Sequence, residues 1–431
     1  MKIVIIHYHL YPGGVTSVIR SQIKSLVCLK RDIEICLVCG DCPAPAQYAN
    51  VDLHIEPSFN YLPAEATEEE ALQLSGKYKE ILRKYLSKQD ICHFHNLNLG
   101  KNPALTRAVY LLAKEGYPVL NHCHDFAEDR PVNMQFLQKI TGYTDAELLN
   151  TVLYPRLPNY WCAALNSFDV QRIREQGISP EQVVLLPNPV GGKRREPLPD
   201  KNSSYRETCR VLSLSQDKPF VTYPVRAITR KNTGEFILLA AVFADKAHWV
   251  ITQPPKNPVE LPQYKDWKHF ASTHNIPVIF EAGTKTDFTA LINASEFCIS
   301  TSVREGFGMV FLEPWLLGTP VKGRNIPYVT RDIEKSGVRF PLLYDALMVE
   351  LNGKKYDFKE LPVEKQQEYI ALVQSGGVER TSLIERNNWM KQLFRKVESG
   401  TIEKNIQVIL SRYALEKYGA QLYGVYKNLA G

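Results

Sequence analysis

The stretch STSVREGFGMVFLEP, which spans residues 300–314, carries the strongest fold signal in the sequence. An apolar run ends at Ser300, a loop with Glu305 and two glycines follows, and a helical pattern begins near Met309. Backbone N–H groups at a glycine-rich helix start are unpaired and lie at the positive end of the helix dipole, so they favour an anion such as phosphate. The segment therefore predicts a strand–loop–helix unit with an anion site at the carboxyl end of the strand.

Short apolar runs that fit buried strands alternate with helical patterns on both sides of this segment. The first half of the chain contains predicted strands at 2–6, 33–39, 91–95, 118–122 and 161–165 and helices at 15–27 and 104–115. The second half contains predicted strands at 220–223, 248–252, 277–281 and 297–300 and helices at 234–243, 264–273, 286–293 and 309–317. This alternation predicts two α/β domains, each with a parallel sheet.

Residues 187–218 separate the two halves and are rich in proline, glycine and charge, which is typical of a linker. We therefore expect a domain boundary at about residue 190. Beyond residue 340 the pattern is less regular, and we expect a helix near 384–397. The tail at 402–429 is expected to form one or two helices.

Length and composition describe a globular chain of 431 residues, 44% hydrophobic and 23% charged. No apolar run approaches the roughly 18–20 residues that span a bilayer, and the run at 2–6 is too short for a signal peptide. Nine cysteines without an export signal are expected to be reduced thiols, so we expect a cytoplasmic protein. The net charge of +6 is too dilute to predict nucleic-acid binding but suits an anionic small molecule. The sequence leaves homo-oligomer formation open.

Glu305 and Glu313 stand eight residues apart, with Gly306, Phe307 and Gly308 between them. This spacing resembles the E-x7-E signature of retaining GT-B glycosyltransferases of the family 4 type. Carboxylates in such a site accept hydrogen bonds from neighbouring hydroxyl groups, which suits a sugar nucleotide. The resemblance implies a GT-B fold, in which two Rossmann-like parallel-sheet domains face a cleft.

Further segments resemble the same family in their order along the chain, and the resemblance covers about residues 1–332. A loop with Gly13 and Gly14 follows the first predicted strand. Residues 186–190, LPNPV, resemble the family's Pro-Asn-Gly-Val segment at the domain junction, with proline in place of glycine. Residues 333–400 have no clear counterpart in the family.

Residues 223–231 contain Arg226 and Lys231, which resemble the family's Arg/Lys pair that holds the donor diphosphate. The leaving diphosphate gains negative charge in the transition state, so fixed cations stabilise it there. The resemblance implies that Glu305 holds sugar hydroxyls and that Glu313 binds the ribose. The implied donor-binding residues are Gly13, Gly14, Arg226, Lys231, Glu305, Gly306, Phe307, Gly308, Met309 and Glu313.

The resemblance also assigns roles to the two domains. It implies an acceptor-binding domain over 1–190 and a nucleotide-sugar-binding domain over 191–411. The end of the chain, from about 412 to 431, is expected to cross back to the first domain as a helix, with Tyr418, Leu422 and Tyr426.

The implied reaction is a retaining transfer of a hexosyl group, an activity of the EC 2.4.1 type. The expected donor is UDP-glucose, with GDP-mannose second, and the expected acceptor is a small polar or phosphorylated molecule. We expect no required cofactor.

Six of the ten histidines form His-x-His pairs at the ends of predicted strands: His7 and His9, His93 and His95, His122 and His124. Alternate residues of a strand share a face, so each pair is expected on one face. The pairs could line an acceptor pocket, bind a divalent metal, or be buried structural residues. We favour the acceptor pocket, predict no metal site, and assign acceptor binding to His9, His95, His124 and Asp125.

His124 also resembles the family's histidine near the transferred sugar. The predicted catalytic residues are therefore Arg226, Lys231, Glu305 and His124. No side chain stands out as a protein nucleophile, so we predict none.

Two other classes of function fit the same residues. A GT-B phosphorylase or a sugar-nucleotide epimerase would also use Arg226 and Lys231, and a phosphorylase would act on free phosphate without a nucleotide. A non-catalytic protein would bind UDP or its sugars and transfer nothing.

Overall fold

A computed structural model describes residues 1–141, 146–191 and 200–431, and it divides into two compact units. The first unit contains Met1–Pro189 and Tyr413–Gly431, and the second contains Val190–Arg412. The part of the expected linker at 192–199 lies outside the described residues. Each unit is built on a parallel sheet, as the sequence predicts.

The described part of the first unit has a seven-stranded sheet in the order β3-β2-β1-β4-β5-β6-β7, with parallel pairing throughout. Its strands are β1 (Lys2–His7), β2 (Glu34–Cys39), β3 (Asp52–Ile55), β4 (Ile91–His95), β5 (Val119–Cys123), β6 (Tyr160–Ala164) and β7 (Val183–Leu185). Its helices are α1 (Gly14–Cys28), α2 (Glu68–Arg83), α3 (Pro103–Lys114), α4 (Pro131–Thr141), α5 (Ala146–Leu153) and α6 (Ser167–Glu175).

The strand β1 explains why the apolar runs are continuous. Val4 and Ile6 lie in one apolar cluster and Ile3 and Ile5 in another, because successive side chains of a strand point to opposite faces. All four side chains are fully buried. A strand covered by helices on both faces needs apolar residues at every position.

The described part of the second unit has a six-stranded parallel sheet in the order β10-β9-β8-β11-β12-β13, and a separate hairpin of β14 and β15. Its strands are β8 (Phe220–Arg226), β9 (His248–Gln253), β10 (Val278–Ile279), β11 (Ser295–Ser300), β12 (Val321–Arg324), β13 (Leu343–Tyr344), β14 (Met348–Leu351) and β15 (Lys354–Asp357). Its helices are α7 (Lys201–Leu212), α8 (Thr233–Val242), α9 (Leu261–Thr273), α10 (Phe288–Ala294), α11 (Glu313–Leu316), α12 (Pro327–Lys335), α13 (Val363–Ser375), α14 (Arg380–Arg386) and α15 (Ser399–Tyr413). No helix among the described residues is both long enough and apolar enough to cross a bilayer.

The last helix, α16 (Leu415–Leu429), belongs to the first unit, as the sequence predicts. Its residues Tyr418, Leu422 and Tyr426 join the apolar cluster that also contains Ile19 of α1. The two helices approach closely at Gly419, where a Cβ would lie 2.8 Å from the carbonyl oxygen of Ser25. The end of the chain therefore completes the core that its beginning starts.

The expected linker is shorter than its composition indicates, because residues 201–212 form α7. The Asp200 carboxylate accepts a hydrogen bond from the Ser203 N–H at 2.7 Å and so caps this helix. Tyr205 and Leu212 pack against the cluster around Phe220. Their helical spacing outweighs the polar composition around them.

The helix expected near 384–397 is wrong. The helix α14 ends at Arg386, a 3-10 helix spans Asn388–Gln392, and no helix follows until Ser399. The carbonyl oxygens of Leu393 and Arg395 accept hydrogen bonds from the buried Lys322 ammonium at 2.6 and 2.8 Å. A continuous helix would direct these carbonyls along its own axis instead.

The helix expected at 309–317 is also broken. Met309–Phe311 form a 3-10 turn and Glu313 is the first residue of α11, which has only four residues. Pro314 has no N–H to continue an α-helical ladder from the turn. The glycine loop therefore leads into a tight turn, and Glu313 lies at the helix start rather than one turn inside it.

Candidate active site

The strand order of each sheet reverses beside the strand that starts the unit, between β1 and β4 in the first unit and between β8 and β11 in the second. Open parallel sheets bind ligands outside the carboxyl ends of the strands at such a point. Most of the candidate residues lie in the loops that leave these four strands. We call 227–232, after β8, and 301–308, after β11, the donor loops, after the donor-binding role expected of them from the family resemblance.

Hydrogen bonds from the neighbouring strand and loop fix the position of Lys231. Its carbonyl oxygen accepts from the Tyr223 hydroxyl at 2.7 Å and from the Thr301 hydroxyl at 3.1 Å. Asn232 follows in the left-handed conformation, with φ 51°, and its carbonyl also accepts from Thr301 at 3.2 Å. These hydrogen bonds therefore fix the backbone from which the Lys231 side chain extends.

The two donor loops meet through the Glu305 carboxylate. Lys231 Nζ donates to Oε1, and Arg230 Nη1 donates to Oε2 at 2.9 Å. The side chains of Lys231 and Glu305 are 11% and 6% exposed, whereas that of Arg230 is 44% exposed. The structure thus brings together two predicted residues, Lys231 and Glu305, and adds Arg230.

Burial and charge oppose each other in this pair. Burial favours the neutral form of Glu305, but the positive charges of Lys231 and Arg230 outweigh it and lower the pKa of the carboxyl. Burial also lowers the pKa of Lys231, and Glu305 offsets only part of that change. A buried charge pair of this kind persists because each partner would be costly to leave alone.

Arg226 is the last residue of β8 and is half-buried. Its Nε atom donates a weak hydrogen bond to the Gln253 side chain at 3.4 Å. Among the described residues no carboxylate forms an ion pair with Arg226, and none links Arg226 to Lys231 or Glu305. Its guanidinium therefore keeps most of its five N–H donors for a ligand.

Glu313 is held in a different environment from Glu305. Burial raises the pKa of its carboxyl to about 7. No cation pairs with Glu313 among the described residues. A desolvated carboxylate without a cation is suited to accepting hydrogen bonds from hydroxyl groups.

Position 308, between the two glutamates, requires a glycine. Gly308 has φ 80°, and a Cβ there would lie 2.7 Å from the Val329 side chain and 2.9 Å from the Phe311 ring. The N–H of Glu305 donates to the Tyr328 hydroxyl at 3.0 Å. Gly306, Phe307 and Met309 stand in the same turn, but their predicted role in donor binding stays a prediction.

Four histidines of the first unit form a stack, which we call the imidazole stack. Neighbouring ring centroids lie 4.3–5.4 Å apart with interplanar angles of 9–29°. All four rings are buried. The members are His93, His95, His122 and His124.

Gln22, in the middle of α1, joins the two sides of the stack. Its Nε2 donates to His93 Nδ1 and its Oε1 accepts from His95 Nε2, each at 2.9 Å. His95 Nδ1 must then accept from His124 Nε2, which lies at 2.9 Å. The amide therefore fixes the tautomer of His124, whose Nδ1 carries the lone pair.

Burial keeps the stack neutral. It lowers the pKa of His93 to about 3 and of His124 to about 4, and the pKa of His95 and His122 falls well below the usual 6.5. Charges on neighbouring imidazoles would lower the values of His93, His95 and His122 further. The rings can therefore donate and accept hydrogen bonds near neutral pH without carrying charge.

The stack also contains a candidate metal cluster, since nitrogens of His93, His95 and His122 lie within 4.8 Å of one another. The lone pair of an imidazole nitrogen lies in the ring plane, so an ion shared by two rings lies in both planes. The rings of His93 and His95 are only 9° from parallel with centroids 4.6 Å apart. Their geometry favours hydrogen bonding over shared metal coordination.

The remaining acceptor candidates lie around the loop after β4. Asn96, with φ 67°, accepts the backbone N–H groups of His124 and Asp125 on its Oδ1 at 2.7 and 3.0 Å. His9 stands apart from the stack, with its ring 5.0 Å from that of Tyr61. The structure therefore joins His95, His124 and Asp125 through contacts that include Asn96, a residue that sequence reasoning missed.

The Gly-Gly loop leads into α1. Gly13 is the N-cap residue and Gly14 is the first helical residue, and the first turn carries no acidic side chain. A Cβ at Gly14 would meet no atom within 4 Å. The start of α1 is therefore open on this side, as close approach of a ligand requires.

No protein-family profile matches this chain. Its sequence is similar to that of mannosylglucosyl-3-phosphoglycerate synthase from Petrotoga mobilis, with 26% identity over 477 aligned positions that cover 97% of this chain and 90% of that protein.

Three solved structures illustrate the fold. A glycosyltransferase from Rickettsia africae has a TM-score of 0.66 and 14% identity, with 99% of this chain and 98% of that one covered. Anabaena HepE in complex with UDP-glucose has a TM-score of 0.64 and 14% identity, with 99% of each chain covered. Sucrose-phosphate synthase from Thermosynechococcus elongatus has a TM-score of 0.63 and 15% identity, with 99% and 98% covered. Together with its two parallel sheets, these matches show that the chain has the GT-B fold.

Proposed function

We propose that this chain is a retaining glycosyltransferase of the family 4 type that transfers a hexosyl group, glucose first, from a nucleotide sugar to a small acceptor. The observation that carries the proposal is the buried Lys231–Glu305 pair at the switch point of the second unit. The similarity to a synthase of a glycosylated phosphoglycerate, and to a fold solved with UDP-glucose, supports it.

The charge of the donor loops suits a diphosphate. The loops and the end of β8 carry four cations and one carboxylate, a net charge of +3: Arg226, Arg230, Lys231, Arg304 and Glu305. A leaving nucleoside diphosphate gains charge as the bond to the sugar breaks, and fixed cations stabilise that charge. The second unit therefore takes the donor in this proposal.

Each residue then has a distinct task. Arg226 binds the diphosphate through a guanidinium that has no carboxylate partner among the described residues, and Lys231 neutralises the diphosphate from a fixed position. Glu305, held by Lys231 and Arg230, accepts hydrogen bonds from the sugar hydroxyls. Glu313 accepts them from the ribose.

The first unit takes the acceptor. His124 offers its Nδ1 lone pair to a hydroxyl near the transferred sugar, and Asp125 and His9 complete the polar surface. The acceptor oxygen bonds to the anomeric carbon as the bond from that carbon to the diphosphate breaks, and the acceptor proton passes to an oxygen of the leaving diphosphate. The configuration of the sugar is retained.

A thermal-shift panel with UDP, GDP, ADP and their sugars tests the donor. A ligand at about 100 times its dissociation constant stabilises the protein by about 2.7 kcal/mol. We expect UDP and UDP-glucose to give the largest shift, and glucose transfer that persists in EDTA. Sugar release that needs phosphate or arsenate, without a nucleotide, would instead identify a phosphorylase, and UDP binding without turnover would identify a binding protein.

A further inference from the structure

Two cations outside the predicted site stand at the carboxyl edge of the first sheet. Lys101 lies in the loop between β4 and α3, and Arg130 lies between β5 and α4. The Lys101 carbonyl accepts the Leu62 N–H at 3.0 Å, and the Arg130 carbonyl accepts the Asn133 N–H at 2.8 Å. The backbone of both residues is therefore held in place.

Tyr61 links the two cations to the acceptor candidates. Lys101 Nζ lies 5.7 Å from the centroid of the Tyr61 ring, which also lies 5.0 Å from the ring of His9. Arg130 Nη2 donates to Asp125 Oδ1 at 2.6 Å. Asn133, three residues after Arg130, donates its Nδ2 hydrogen to the Leu99 carbonyl at 2.8 Å, so the segments that carry Arg130 and Lys101 lie side by side.

The ion pairs at this edge leave Lys101 without a partner. Asp125 pairs with Arg130, and its other oxygen accepts from Asn96 Nδ2 at 3.4 Å. Glu128 and Asp129, which precede Arg130, pair with Arg172 of α6. Lys101 has no ion pair among the residues that the structure describes.

Two helix N-termini lie beside these cations. The helix α3 begins two residues after Lys101, and α4 begins directly after Arg130. These helices have 12 and 11 residues, and their first turns carry no acidic side chain. The N-termini of both helices therefore favour an anion where the two cations stand.

We propose that Lys101 and Arg130 bind a phosphate monoester carried by the acceptor. Two cations beside two helix N-termini match a group with two negative charges, and an arginine that already holds Asp125 still has N–H donors for phosphate oxygens. The hydroxyl that receives the sugar then lies on the same molecule, towards His9 and His124. That the phosphate belongs to the acceptor rests on the proposed function, whereas the binding of phosphate to Lys101 and Arg130 does not.

Calorimetric titration with inorganic phosphate tests the binding step. Lys101→Met should weaken phosphate binding about tenfold or more, since it removes one charge-assisted contact. Lys114 is the last residue of α3, at the end of the helix far from Lys101, and Lys114→Met should leave the phosphate affinity at the wild-type value. Lys101→Arg keeps the charge and should retain most of the affinity, which separates loss of the site from loss of folding. Equal affinity of the wild type and Lys101→Met would overturn the proposal.

Matched ligand pairs test the acceptor class. Stabilisation against heat should be larger for 3-phosphoglycerate than for glycerate, and larger for glucose 6-phosphate than for glucose, in the wild type and in Lys114→Met. Equal shifts within each pair would overturn the proposal. If no nucleotide or nucleotide sugar binds at all, the proposed function fails, yet the phosphate titration still measures the Lys101 site.

Discussion

The donor loops and the imidazole stack belong to two similar parallel sheets, but they bury polar groups in opposite ways. The donor loops bury charges, and Glu305 and Lys231 remain ionised because they pair. The stack buries imidazole rings in their neutral form, and hydrogen bonds of Gln22 with His93 and His95 fix their tautomers. Ion pairing and neutralisation are the two ways in which a protein can bury titratable groups, and each responds differently to pH.

The largest effect we expect is that of acid, which should destabilise the first unit at a higher pH than the second. The folded pKa of each stacked histidine lies below its unfolded value of 6.5, so its contribution is present above pH 6.5 and is lost as the pH falls. Between pH 7 and 5 each ring should lose up to about 2 kcal/mol of unfolding free energy. The lowered pKa of Glu305 makes its contribution fall only below about pH 4.5. The first unit should therefore unfold at a higher pH than the second.

Tryptophan fluorescence can resolve the two transitions. Trp161 is the tryptophan of the first unit, and the other four lie in the second. The fluorescence of Trp161→Phe reports the second unit, and its difference from the wild type reports the first. Coincident transitions between pH 7 and 5 would contradict the assignment of neutral histidines to the stack.

Loss of Arg226, at the end of β8, or of Lys231, in the donor loops, should have the next largest effect. Arg226→Ala and Lys231→Ala should each lower kcat by about 10²–10³, because they remove a fixed charge that acts on the leaving diphosphate, while KM changes less. Arg226→Lys should remain impaired if the guanidinium grips two oxygens. Steady-state kinetics measure all three, with the exposed Arg210→Ala of α7 as the control. Wild-type kcat in all three variants would remove both residues from the catalytic site.

Glu313→Ala should weaken the binding of UDP and UDP-glucose by about 1–3 kcal/mol, because the ribose hydroxyls would lose their acceptor. Isothermal calorimetry measures the change. Glu334→Ala, on the exposed side of α12, is a matched control in the same unit. An unchanged affinity for Glu313→Ala would remove this residue from the donor site.

The pH dependence of UDP binding should follow Glu313. In the protein without ligand, the Glu313 carboxyl has a pKa of about 7. Hydrogen bonds from the ribose hydroxyls favour the charged form of this carboxyl, so UDP binding below pH 7 releases a proton. Affinity should rise about tenfold from pH 6 to pH 8 and then level off. Glu313→Gln should flatten this rise, whereas a rise that persists in Glu313→Gln would assign it to another group.

The smallest effect is expected where the last helix meets the stack. The Tyr426 hydroxyl lies 2.6 Å from His93 Nδ1 and accepts from Gln22 Nε2 at 3.2 Å. Tyr426→Phe should cost about 1 kcal/mol of unfolding free energy, the typical net value of a hydrogen bond. Urea denaturation measures it, and Tyr423→Phe on the same helix should change little.

The sequence predicts much of the fold because most strands are continuous apolar runs that end in glycine or polar loops. It predicts Lys231 and Glu305 because a local motif carries them. Arg230 is missed since the motif's Arg/Lys pair gives no sign that the Glu305 carboxylate takes two partners. Gln22 is missed for a different reason: 71 residues separate it from His93, and the sequence contains no signal of a contact made by tertiary packing.

Helix boundaries fail where tertiary contacts compete with local preference. The carbonyls of Leu393 and Arg395 turn towards Lys322, which lies in β12. Pro314 ends a ladder that the apolar pattern would continue. Both outcomes depend on backbone hydrogen bonds that the hydrophobic pattern does not encode.

The return of α16 to the first unit also has a consequence for synthesis. The ribosome makes residues 1–189 first, yet the core that these residues form contains Tyr418, Leu422 and Tyr426. The second unit has its whole sheet in one continuous stretch and can fold as it emerges. The N-terminal half must instead wait with part of its apolar surface open until the last helix leaves the ribosome. In the living cell, therefore, the first unit to be translated is the last to be finished.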